Sequence, residues 1–368
     1  MKILHVINSL QVGGAEKLLV DSLPALIQQQ VNVSLLVLGN NNNQHLLDIC
    51  KLKNLPVICL SKTNIYSPTL ILDLRRIIID FDLIHVHLFP AQYWVALANA
   101  SLPKRKRPIL VTTEHSVSNR RRDKLLFRYP DRYVYAQYKS IICVSSGAYD
   151  SLAKYLSNSN RLLTIENGID INRYLNAKPE SRENFKLSYD DVIITMVAGF
   201  RHEKDQDTLI KSMKYLPDKF KLLLVGEGVR LSDCRQLCSD LNLEERVCFA
   251  GLRHNVPEIF KMSDICVMSS HWEGLCLVAV EAMASGKVVV ASNVNGLLEI
   301  VEGHGLLFER GDAKSLSDIL IHLDRDKKFA ADIASKCILR SKDYSQEAFL
   351  KNTMSLYLSL LSKSKYER

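Results

Sequence analysis

Short runs of aliphatic and β-branched residues alternate along the whole chain with segments of helical length. This pattern limits the possible fold more than any other feature of the sequence. The runs lie at 3–7, 33–38, 83–86, 109–112 and 141–144, and again at 193–197, 221–225, 248–249, 265–268, 288–291 and 306–308. Apolar runs without polar alternation are typical of strands covered on both faces, and the spacers suit right-handed βαβ crossovers. The sequence therefore predicts an α/β fold with parallel sheets.

The runs fall into two series, and a chain of 368 residues is long enough for two domains. Between the series lies Glu166-Asn167-Gly168-Ile169-Asp170, in which Asn-Gly is a turn signal, followed by a polar stretch that contains Pro179. We predict an N-terminal domain over 1–170, a linker over 171–190 and a C-terminal domain over 191–345. Residues 346–368 form a final helix that, from its apolar side alone, could pack on either domain.

The basic charge is confined to the first half of the chain. Residues 1–175 carry 21 Lys and Arg against 12 Asp and Glu, whereas the remaining residues carry 27 against 28. Such an imbalance favours a local anionic partner: a membrane surface, a phosphate-bearing substrate or nucleic acid. Nine cysteines without a C-x-x-C pair, and no apolar run long enough to cross a bilayer, predict a cytoplasmic protein with at most peripheral membrane contact.

Part of this excess is a cluster of cations interleaved with tyrosines. It consists of residues 104–107, 120–122, Lys124, Arg128 and Arg132, with Tyr129, Tyr133, Tyr135 and Tyr138 close by. Cations beside interfacial aromatic residues suit an anionic membrane surface. The same composition occurs in RNA-binding proteins and on ordinary solvated faces, but no nucleic-acid-binding motif accompanies it. We predict a membrane surface and no nucleic acid as the partner.

Two glycine-containing turns follow predicted strands. Val12-Gly13-Gly14-Ala15-Glu16 stands between the first strand and a helix, where backbone N–H groups can bind an anion. Gly226-Glu227-Gly228 ends the strand at 221–225. Neither completes the G-x-G-x-x-G dinucleotide fingerprint, and a tight turn explains both glycine pairs about as well as a ligand does.

The segment from Ser269 to Gly286 has the most specific pattern. An apolar strand runs into a polar loop with Glu273, and a helix with Glu281 follows and ends at Gly286. Ligands of open α/β sheets bind at the carboxyl edge of the strands, where a carboxylate can accept paired hydrogen bonds from sugar or ribose hydroxyls. The plainer interpretations are a loop acid and a solvated helix residue. His85 and His87, two apart on a strand, are interpreted as core or edge histidines before metal or acceptor contacts.

Glu273 and Glu281 resemble the E-x7-E motif of the family 4 retaining glycosyltransferases, which have a GT-B fold of two Rossmann-like domains with parallel sheets facing across a cleft. The resemblance continues over nearly the whole chain, in order and spacing. It includes Gly13-Gly14-Ala15-Glu16, Asn167-Gly168-Ile169-Asp170, Glu203-Lys204, Gly226-Glu227-Gly228, Phe249-Ala250-Gly251, Val294-Asn295-Gly296 to Glu299, and Gly305-Leu306-Leu307-Phe308.

This resemblance implies a donor site for a nucleotide sugar. Glu281 would hydrogen-bond the ribose, Glu273 would contact the hexose with backbone groups near Gly274, and Lys204 would neutralise the diphosphate. Leu275, Cys276 and Leu277 complete this loop of the donor site. Arg253 would lie near the base. The implied catalytic residues are His115, Glu273 and Lys204.

The resemblance also assigns roles outside that loop. Gly14 would let the N-terminal loop approach the diphosphate, and the final helix would pack back on the N-terminal domain. The sequence departs from the family at Gly199, where an arginine is usual, and at Cys276, where a glycine is usual; Arg201 is the candidate replacement for the missing cation.

The implied function is transfer of a sugar from a UDP- or GDP-linked donor to a glycolipid or polysaccharide intermediate of a bacterial surface, with no metal and no cofactor beyond the nucleotide sugar. Two alternatives stay open. One is a nucleotide-sugar epimerase of the same fold, and the other is a non-catalytic sugar-nucleotide-binding protein.

Overall fold

The computed structural model describes residues 1–11, 13–117, 121–122, 124–157 and 160–366. The chain forms two compact units, one of Met1–Gly168 with Gln346–Arg368 and one of Ile169–Ser345. Each unit contains one parallel sheet, which confirms the predicted α/β class. Among the described residues, no helix combines the length and the apolar character that a membrane span requires.

The first unit is built on a seven-stranded sheet. Its strands are β1 (Lys2–Ile7), β2 (Asn32–Gly39), β3 (Val57–Lys62), β4 (Leu83–His87), β5 (Ile109–Glu114), β6 (Ser140–Cys143) and β7 (Leu162–Thr164). They lie in the order β3-β2-β1-β4-β5-β6-β7, and every pair is parallel. The order reverses direction between β1 and β4, which makes that pair the switch point of the sheet.

Helices cover both faces of this sheet. They are α1 (Gly14–Gln28), α2 (Gln44–Leu52), α3 (Leu70–Ile78), α4 (Ala91–Ala100), α5 (Arg128–Ala136) and α6 (Ser146–Leu156). Because side chains alternate along a strand, Leu4 and Val6 join the core under α3 and α4, while Ile3 and Ile7 join the core under α1.

The second unit is built on a six-stranded sheet. Its strands are β8 (Val192–Val197), β9 (Phe220–Val225), β10 (Val247–Gly251), β11 (Ile265–Met268), β12 (Val288–Ser292) and β13 (Leu306–Phe308). Its helices are α7 (Ile171–Leu175), α8 (Gln206–Ser212), α9 (Leu231–Asp240), α10 (Val256–Met262), α11 (Leu277–Ala284), α12 (Leu298–Val301), α13 (Ala313–Arg325) and α14 (Lys327–Ser341). The strand order β10-β9-β8-β11-β12-β13 is the doubly wound order, with its switch point between β8 and β11.

Residues 171–190, which we predicted as a linker, are folded as part of the second unit. They contain α7 and a 3₁₀ turn at Arg182–Phe185. Tyr174 and Phe185 are buried in the apolar clusters of that unit. The polar composition and Pro179 indicated a linker. The only signals of a folded segment were Tyr174 and Phe185, and two isolated aromatic residues do not form a periodic pattern.

The last helix, α15 (Gln346–Tyr366), belongs to the first unit. Leu350 and Tyr357 are buried against the face that carries α1, and the Gln346 side chain donates a hydrogen bond to the backbone carbonyl of Asp21. The final helix therefore adds a layer to the N-terminal sheet rather than to the sheet that precedes it in sequence.

Two arginines of the basic cluster point into the first unit. Arg121 forms an ion pair with Asp131 at 3.0 Å, and Arg122 forms one with Glu114 at 2.5 Å. Both side chains are nearly inaccessible, so the carboxylates neutralise them inside the protein. Arg120 lies outside the described residues. The sequence shows these three arginines as one cationic run, but at least two of them are not available to a membrane.

Candidate functional site

The switch point of the second unit brings two predicted site residues into contact. Lys204 lies in the 3₁₀ turn His202–Lys204 after β8, and Glu273 lies in the loop after β11. Because β8 and β11 are parallel neighbours, both segments leave the sheet at its carboxyl edge. The Lys204 ammonium donates a 2.6 Å hydrogen bond to Oε1 of Glu273. Residues 69 positions apart in sequence thus form one ion pair at the edge where ligands of such sheets bind.

Further contacts hold this pair in place. The Ser270 hydroxyl donates to the same Oε1 of Glu273 at 2.6 Å, and the backbone N–H of His271 donates to the Glu203 carbonyl at 2.8 Å. Among the described residues, no hydrogen-bond partner lies on Oε2 of Glu273. Glu273 is therefore an anchored carboxylate with one oxygen free for a ligand, not an ordinary loop acid.

The charge of the pair is settled by its surroundings. Burial alone would lower the pKa of Lys204, but the adjacent Glu273 carboxylate outweighs burial and raises that pKa. Lys204 is consequently a protonated cation throughout the physiological range. Its side chain keeps 23% of its accessible surface, which leaves room for contact with an anionic ligand.

Glu281 lies in the second turn of α11, which begins immediately after the Glu273 loop. Only 4% of the residue is exposed. A carboxylate buried to this degree needs hydrogen-bond partners, and it does not belong to a solvated helix face. The solvated alternative from the sequence is therefore wrong for Glu281.

The loop between Glu273 and α11 is packed tightly against the neighbouring loop. Gly296 has φ +81°, and a Cβ at this position would lie 2.6 Å from the Glu273 carbonyl oxygen. Only glycine permits that conformation and that approach. Cys276, the residue before α11, is buried, and burial raises the pKa of its thiol to about 12. Cys276 is thus an uncharged part of the loop, and Gly274, Leu275 and Leu277 are partly buried on either side of it.

The turn after β8 is shaped by the glycines after β9. Gly226 has φ +140°, and a Cβ there would lie 2.1 Å from the Ala198 carbonyl oxygen, so this glycine is required by packing alone. At Gly199, where the family usually has arginine, a Cβ would stand 3.6 Å from Nε of Arg201. The Arg201 side chain is 61% exposed and lies 3.9 Å from Glu203. Its guanidinium group therefore starts close to the position that a side chain at 199 would occupy.

Arg253 lies in the loop after β10, at the same edge of the sheet. Its Nε donates to the Ala250 carbonyl at 2.9 Å, and its guanidinium stacks over the Phe185 ring at 5.3 Å. The structure thus fixes this exposed cation near the end of β10.

Two further groups lie beside the Lys204–Glu273 pair that sequence reasoning did not single out. Ser270 is one, and the Ser-x-x-Glu spacing with Glu273 was its signal. The other is an aromatic group of His202, His271 and Trp272, whose ring centroids are 5.2 to 6.1 Å apart. Trp272 is 43% exposed, so its ring offers a flat surface next to the site.

The remaining predicted residues lie in the first unit. Gly14 is the first residue of α1, and none of the described residues outside its own helix and its chain neighbours lies within 4 Å of the position where its Cβ would stand. Val12, the first residue of that motif, lies outside the described residues. His115 follows β5, and burial lowers its pKa to about 4, so the imidazole is neutral at pH 7. His87 is hydrogen-bonded to it at 3.1 Å.

His85 and His87 are core residues of the first unit. Both are 2% exposed, and His5, opposite His85 on β1, is 3% exposed. Within the described part of the chain, these three form a group close enough to share a metal ion, with candidate atoms within 4.8 Å of one another. Their ring nitrogens are instead hydrogen-bonded to one another and to neighbouring hydroxyls, which satisfies the cluster without a metal. That the protein uses no metal stays a prediction.

Comparison with known proteins agrees with this geometry. The family description "Glycosyltransferase Family 4" matches residues 12–173, and "Glycosyl transferases group 1" matches residues 177–338. The fold is therefore that of a two-domain glycosyltransferase of the GT-B class. The chain belongs to the family 4 glycosyltransferases, and it is an enzyme of that class.

Among similar proteins, the UDP-Gal:alpha-D-GlcNAc-diphosphoundecaprenol alpha-1,3-galactosyltransferase of Escherichia coli is 24% identical, over 89% of each chain. The N-acetyl-alpha-D-glucosaminyl L-malate synthase of Bacillus anthracis is 26% identical, over 78% of this chain and 77% of that protein. The crystal structure of Anabaena HepE in complex with UDP and glucose superposes with a TM-score of 0.87 at 22% identity, covering 98% of this chain and all of that one.

Proposed function

We propose that this protein transfers a hexose from a nucleotide sugar to a lipid-linked glycan intermediate, with retention of anomeric configuration and without a metal ion. The observation that carries the proposal is the Lys204–Glu273 ion pair at the switch point of the second unit, followed along the chain by the buried Glu281. These groups match the three parts of such a donor. Lys204 suits the diphosphate, Glu273 the hexose and Glu281 the ribose.

The donor site extends along the loop that ends in α11. Glu273 accepts hydrogen bonds from hexose hydroxyls through its free Oε2, and Glu281 accepts them from the ribose. The N-terminus of α11 adds backbone N–H groups and a partial positive charge near the diphosphate. The loop residues that form this part of the site are Gly274, Leu275, Cys276 and Leu277.

Arg201 supplies the second cation for the diphosphate. Its Nε lies 3.6 Å from the position that a Cβ at Gly199 would occupy, and most of the side chain is exposed and able to reorient. Arg253, held against Phe185 at the end of β10, contacts the base. The resemblance to family 4 assigns Gly14 to the diphosphate and His115 to the reacting centre, and we propose these roles for them. Among the described residues outside its own helix, none would contact a Cβ at Gly14, so packing there does not account for the glycine.

These groups support the departure of the diphosphate. As the bond between the anomeric carbon and the phosphate oxygen breaks, negative charge grows on the diphosphate, and Lys204 and Arg201 stabilise it. The leaving phosphate oxygen accepts the proton of the acceptor hydroxyl as the new glycosidic bond forms. Because two side-chain cations and a helix N-terminus supply the positive charge, the reaction proceeds without a metal.

The acceptor proposal rests on the surface of the first unit. Leu126, Tyr129 and Tyr133 are 82%, 79% and 52% exposed, and their spacing places them near one face at the start of α5. The exposed cations Lys124 and Arg128 flank them. An apolar strip beside cations suits the cytoplasmic face of an anionic membrane, where a lipid-linked acceptor is found. The similar E. coli galactosyltransferase is named for a diphosphoundecaprenol-linked acceptor, a Rhizobium meliloti relative for lipopolysaccharide core biosynthesis, and a Klebsiella pneumoniae relative for a cps region.

The deciding experiment measures transfer with the full chain in the presence of EDTA. UDP-, GDP- and ADP-hexoses are combined with a polyprenyl-diphosphate sugar acceptor, and the anomeric configuration of the product is read by NMR. We expect UDP release coupled to glycosylation of the lipid, with the donor configuration retained, because the similar HepE structures contain UDP or UDP-glucose.

The other outcomes separate the alternatives. Isomerised nucleotide sugar without an acceptor would identify an epimerase. Tight UDP binding with no turnover over the whole panel would identify a sugar-nucleotide-binding protein. An inverted product, or loss of transfer in EDTA, would contradict the retaining, metal-independent mechanism.

A further inference from the structure

A continuous chain of hydrogen bonds runs through the interior of the first unit and ends on His115. Its successive links are His115 Nε2 to His87 Nδ1 at 3.1 Å, His87 Nε2 to His5 Nδ1 at 3.0 Å, His5 Nε2 to Tyr357 Oη at 3.4 Å, Tyr357 Oη to His85 Nδ1 at 2.5 Å, and His85 Nε2 to Thr113 Oγ1 at 2.7 Å. We call these six side chains the histidine chain. It engages both ring nitrogens of His5, His85 and His87.

Four separate elements contribute to the histidine chain. His5 comes from β1, His85 and His87 from β4, Thr113 from β5 and Tyr357 from α15. Tyr357 is fully buried, and its hydroxyl is the link that joins His85 to His5. The C-terminal helix therefore completes the chain, although it lies 352 residues from His5 in sequence.

The surroundings keep the histidine chain neutral. A cavity of about 10 Å³ is lined by the histidines and Thr113 of the histidine chain and by apolar side chains and uncharged polar groups, namely Leu18, Leu19, Ser22, Leu23, Leu26, Asn167, Phe349, Leu350 and Thr353. Burial lowers the pKa of His5 to about 3 and holds those of His85 and His87 well below the ordinary value. All four histidines are neutral imidazoles at pH 7.

Neutral imidazoles impose one direction on such a chain. Each has one N–H donor and one lone-pair acceptor, so a proton placed on one ring nitrogen requires the opposite role at the other. From His115 to His5 the links must therefore all point the same way. The Tyr357 hydroxyl would leave its own buried O–H without a partner within the histidine chain if it accepted from both His5 and His85, so the fully satisfied chain keeps that direction through Tyr357 to His85. The direction decides whether the remaining nitrogen of His115, Nδ1, presents a donor or an acceptor.

We propose that Tyr357 is a positioning residue, which acts through His5 and His87 to fix the tautomer and the ring orientation of His115. The proposal rests on the proposed function in one respect, the placement of His115 at the reacting centre. Without the Tyr357 hydroxyl, the histidine chain separates into His85 with Thr113 and a second part that ends on His115. That second part can then reverse its direction alone, and His115 exchanges between donor and acceptor at Nδ1.

The first test reads the histidine chain directly and does not depend on activity. The full chain is labelled with ¹⁵N-histidine, and the ring nitrogen shifts of His115 are compared in wild type and Tyr357→Phe at pH 7.5. We expect both His115 nitrogens to shift towards averaged values, because pyrrole-like and pyridine-like nitrogens exchange roles. The matched control is Tyr138→Phe, which removes another buried hydroxyl of the same unit, bonded to the Gln92 carbonyl, and should leave His115 unchanged. Unchanged His115 shifts in Tyr357→Phe overturn the proposal.

The second test separates positioning from stability. For transfer by Tyr357→Phe we expect kcat to fall about tenfold with KM for the donor changed less than twofold, because a mixed tautomer weakens an interaction formed in the transition state. A lower melting temperature with unchanged kcat overturns the proposal, since it shows a purely structural role. If Tyr357→Phe does not fold, Thr113→Val replaces it. The ¹⁵N shifts of the His85 ring, which contacts Thr113, should change most, and those of His115, at the other end of the histidine chain, should change less. Unchanged His115 shifts in Thr113→Val count against the proposal. A wild type that transfers no sugar would refute the proposed function, while the NMR comparison still decides whether Tyr357 controls His115.

Discussion

Lys204 donates a hydrogen bond of 2.6 Å to Oε1 of Glu273, so the two side chains assigned to the diphosphate and the hexose fix each other before any donor is present. The ion pair is partly buried, and the Ser270 hydroxyl donates a second hydrogen bond to the same Oε1. A preorganised cation and carboxylate lose little entropy when the ligand arrives, which is the condition under which electrostatic stabilisation of a leaving group is effective.

The first prediction concerns the charge of Lys204. We expect Lys204→Ala to lower kcat by about 10²- to 10³-fold, because the growing charge on the diphosphate loses its nearest cation. The matched control is Lys219→Ala, since Lys219 forms an ion pair of the same 2.6 Å length with Asp324 in the same unit. Initial rates of UDP release measure both variants. Equal rates for Lys204→Ala and the control would remove Lys204 from the donor site.

The second prediction concerns the buried carboxylate of Glu281. Glu281→Gln keeps the shape of the side chain but removes the charge that strengthens hydrogen bonds to ribose hydroxyls. Such charge-assisted bonds contribute about 1.5–3 kcal/mol, so we expect the Kd for UDP to rise by about 10- to 100-fold in calorimetric titration. The exposed Glu302→Gln is the control. If UDP binding survives in Glu281→Gln, the ribose lies elsewhere.

Much of this architecture could be predicted from sequence because parallel strands buried on both faces have a strong apolar signal. β3 was missed although residues 57–60 are apolar, since this run is short and belongs to the edge strand of the sheet, where Ile58, Cys59 and Ser61 are exposed. β7 was missed for a similar reason, since it has only three residues at the opposite edge. Edge strands bury less surface, so selection for apolar residues leaves less trace in them.

The loop of Glu273 and the helix of Glu281 could be located from sequence because both lie within the segment from Ser269 to Gly286, whereas the histidine chain could not. Two-residue spacing places His85 and His87 on one face of a strand, but nothing local connects them to His5 or to Tyr357. Those contacts depend on the order of strands in the sheet and on where α15 packs, and both are properties of the whole unit. The inward direction of Arg121 and Arg122 was equally hidden, because it depends on Asp131 and Glu114 across the fold.

The third prediction follows from the neutral histidines of the first unit. Burial lowers the pKa of His5 to about 3 and that of His115 to about 4, while the unfolded chain protonates both near 6.5. The unfolded state therefore binds more protons below pH 6.5. The free energy of unfolding is therefore unaffected by these histidines above pH 6.5, and it decreases as the pH falls from about 6.5 towards 4.

Each fully buried histidine contributes a slope of about 1.4 kcal/mol per pH unit in that window. Urea unfolding of the protein, monitored by tyrosine fluorescence at several pH values between 7.5 and 5, should show this decrease in the free energy of unfolding. His5→Gln should reduce the slope by about one proton, whereas His45→Gln, at an exposed position, should not. A slope that is the same in wild type and His5→Gln would show that His5 takes up its proton in the folded state.

The fourth prediction concerns the exposed strip of Leu126, Tyr129 and Tyr133. Replacing all three with serine removes the apolar contact with the membrane but leaves the neighbouring cations, so we expect residual binding that is strongly salt-dependent. Co-sedimentation of the full chain with vesicles of phosphatidylglycerol and phosphatidylethanolamine measures it, at low and at physiological salt. The control replaces Tyr189 and Tyr215 of the second unit, which are 85% and 52% exposed.

The neighbouring cations are tested separately. Because the arginines at 121 and 122 are neutralised internally, Arg121→Lys should change membrane binding little, whereas Lys124→Glu with Arg128→Glu should abolish it. Binding that survives both the serine and the glutamate variants would place the membrane contact on another surface of the protein.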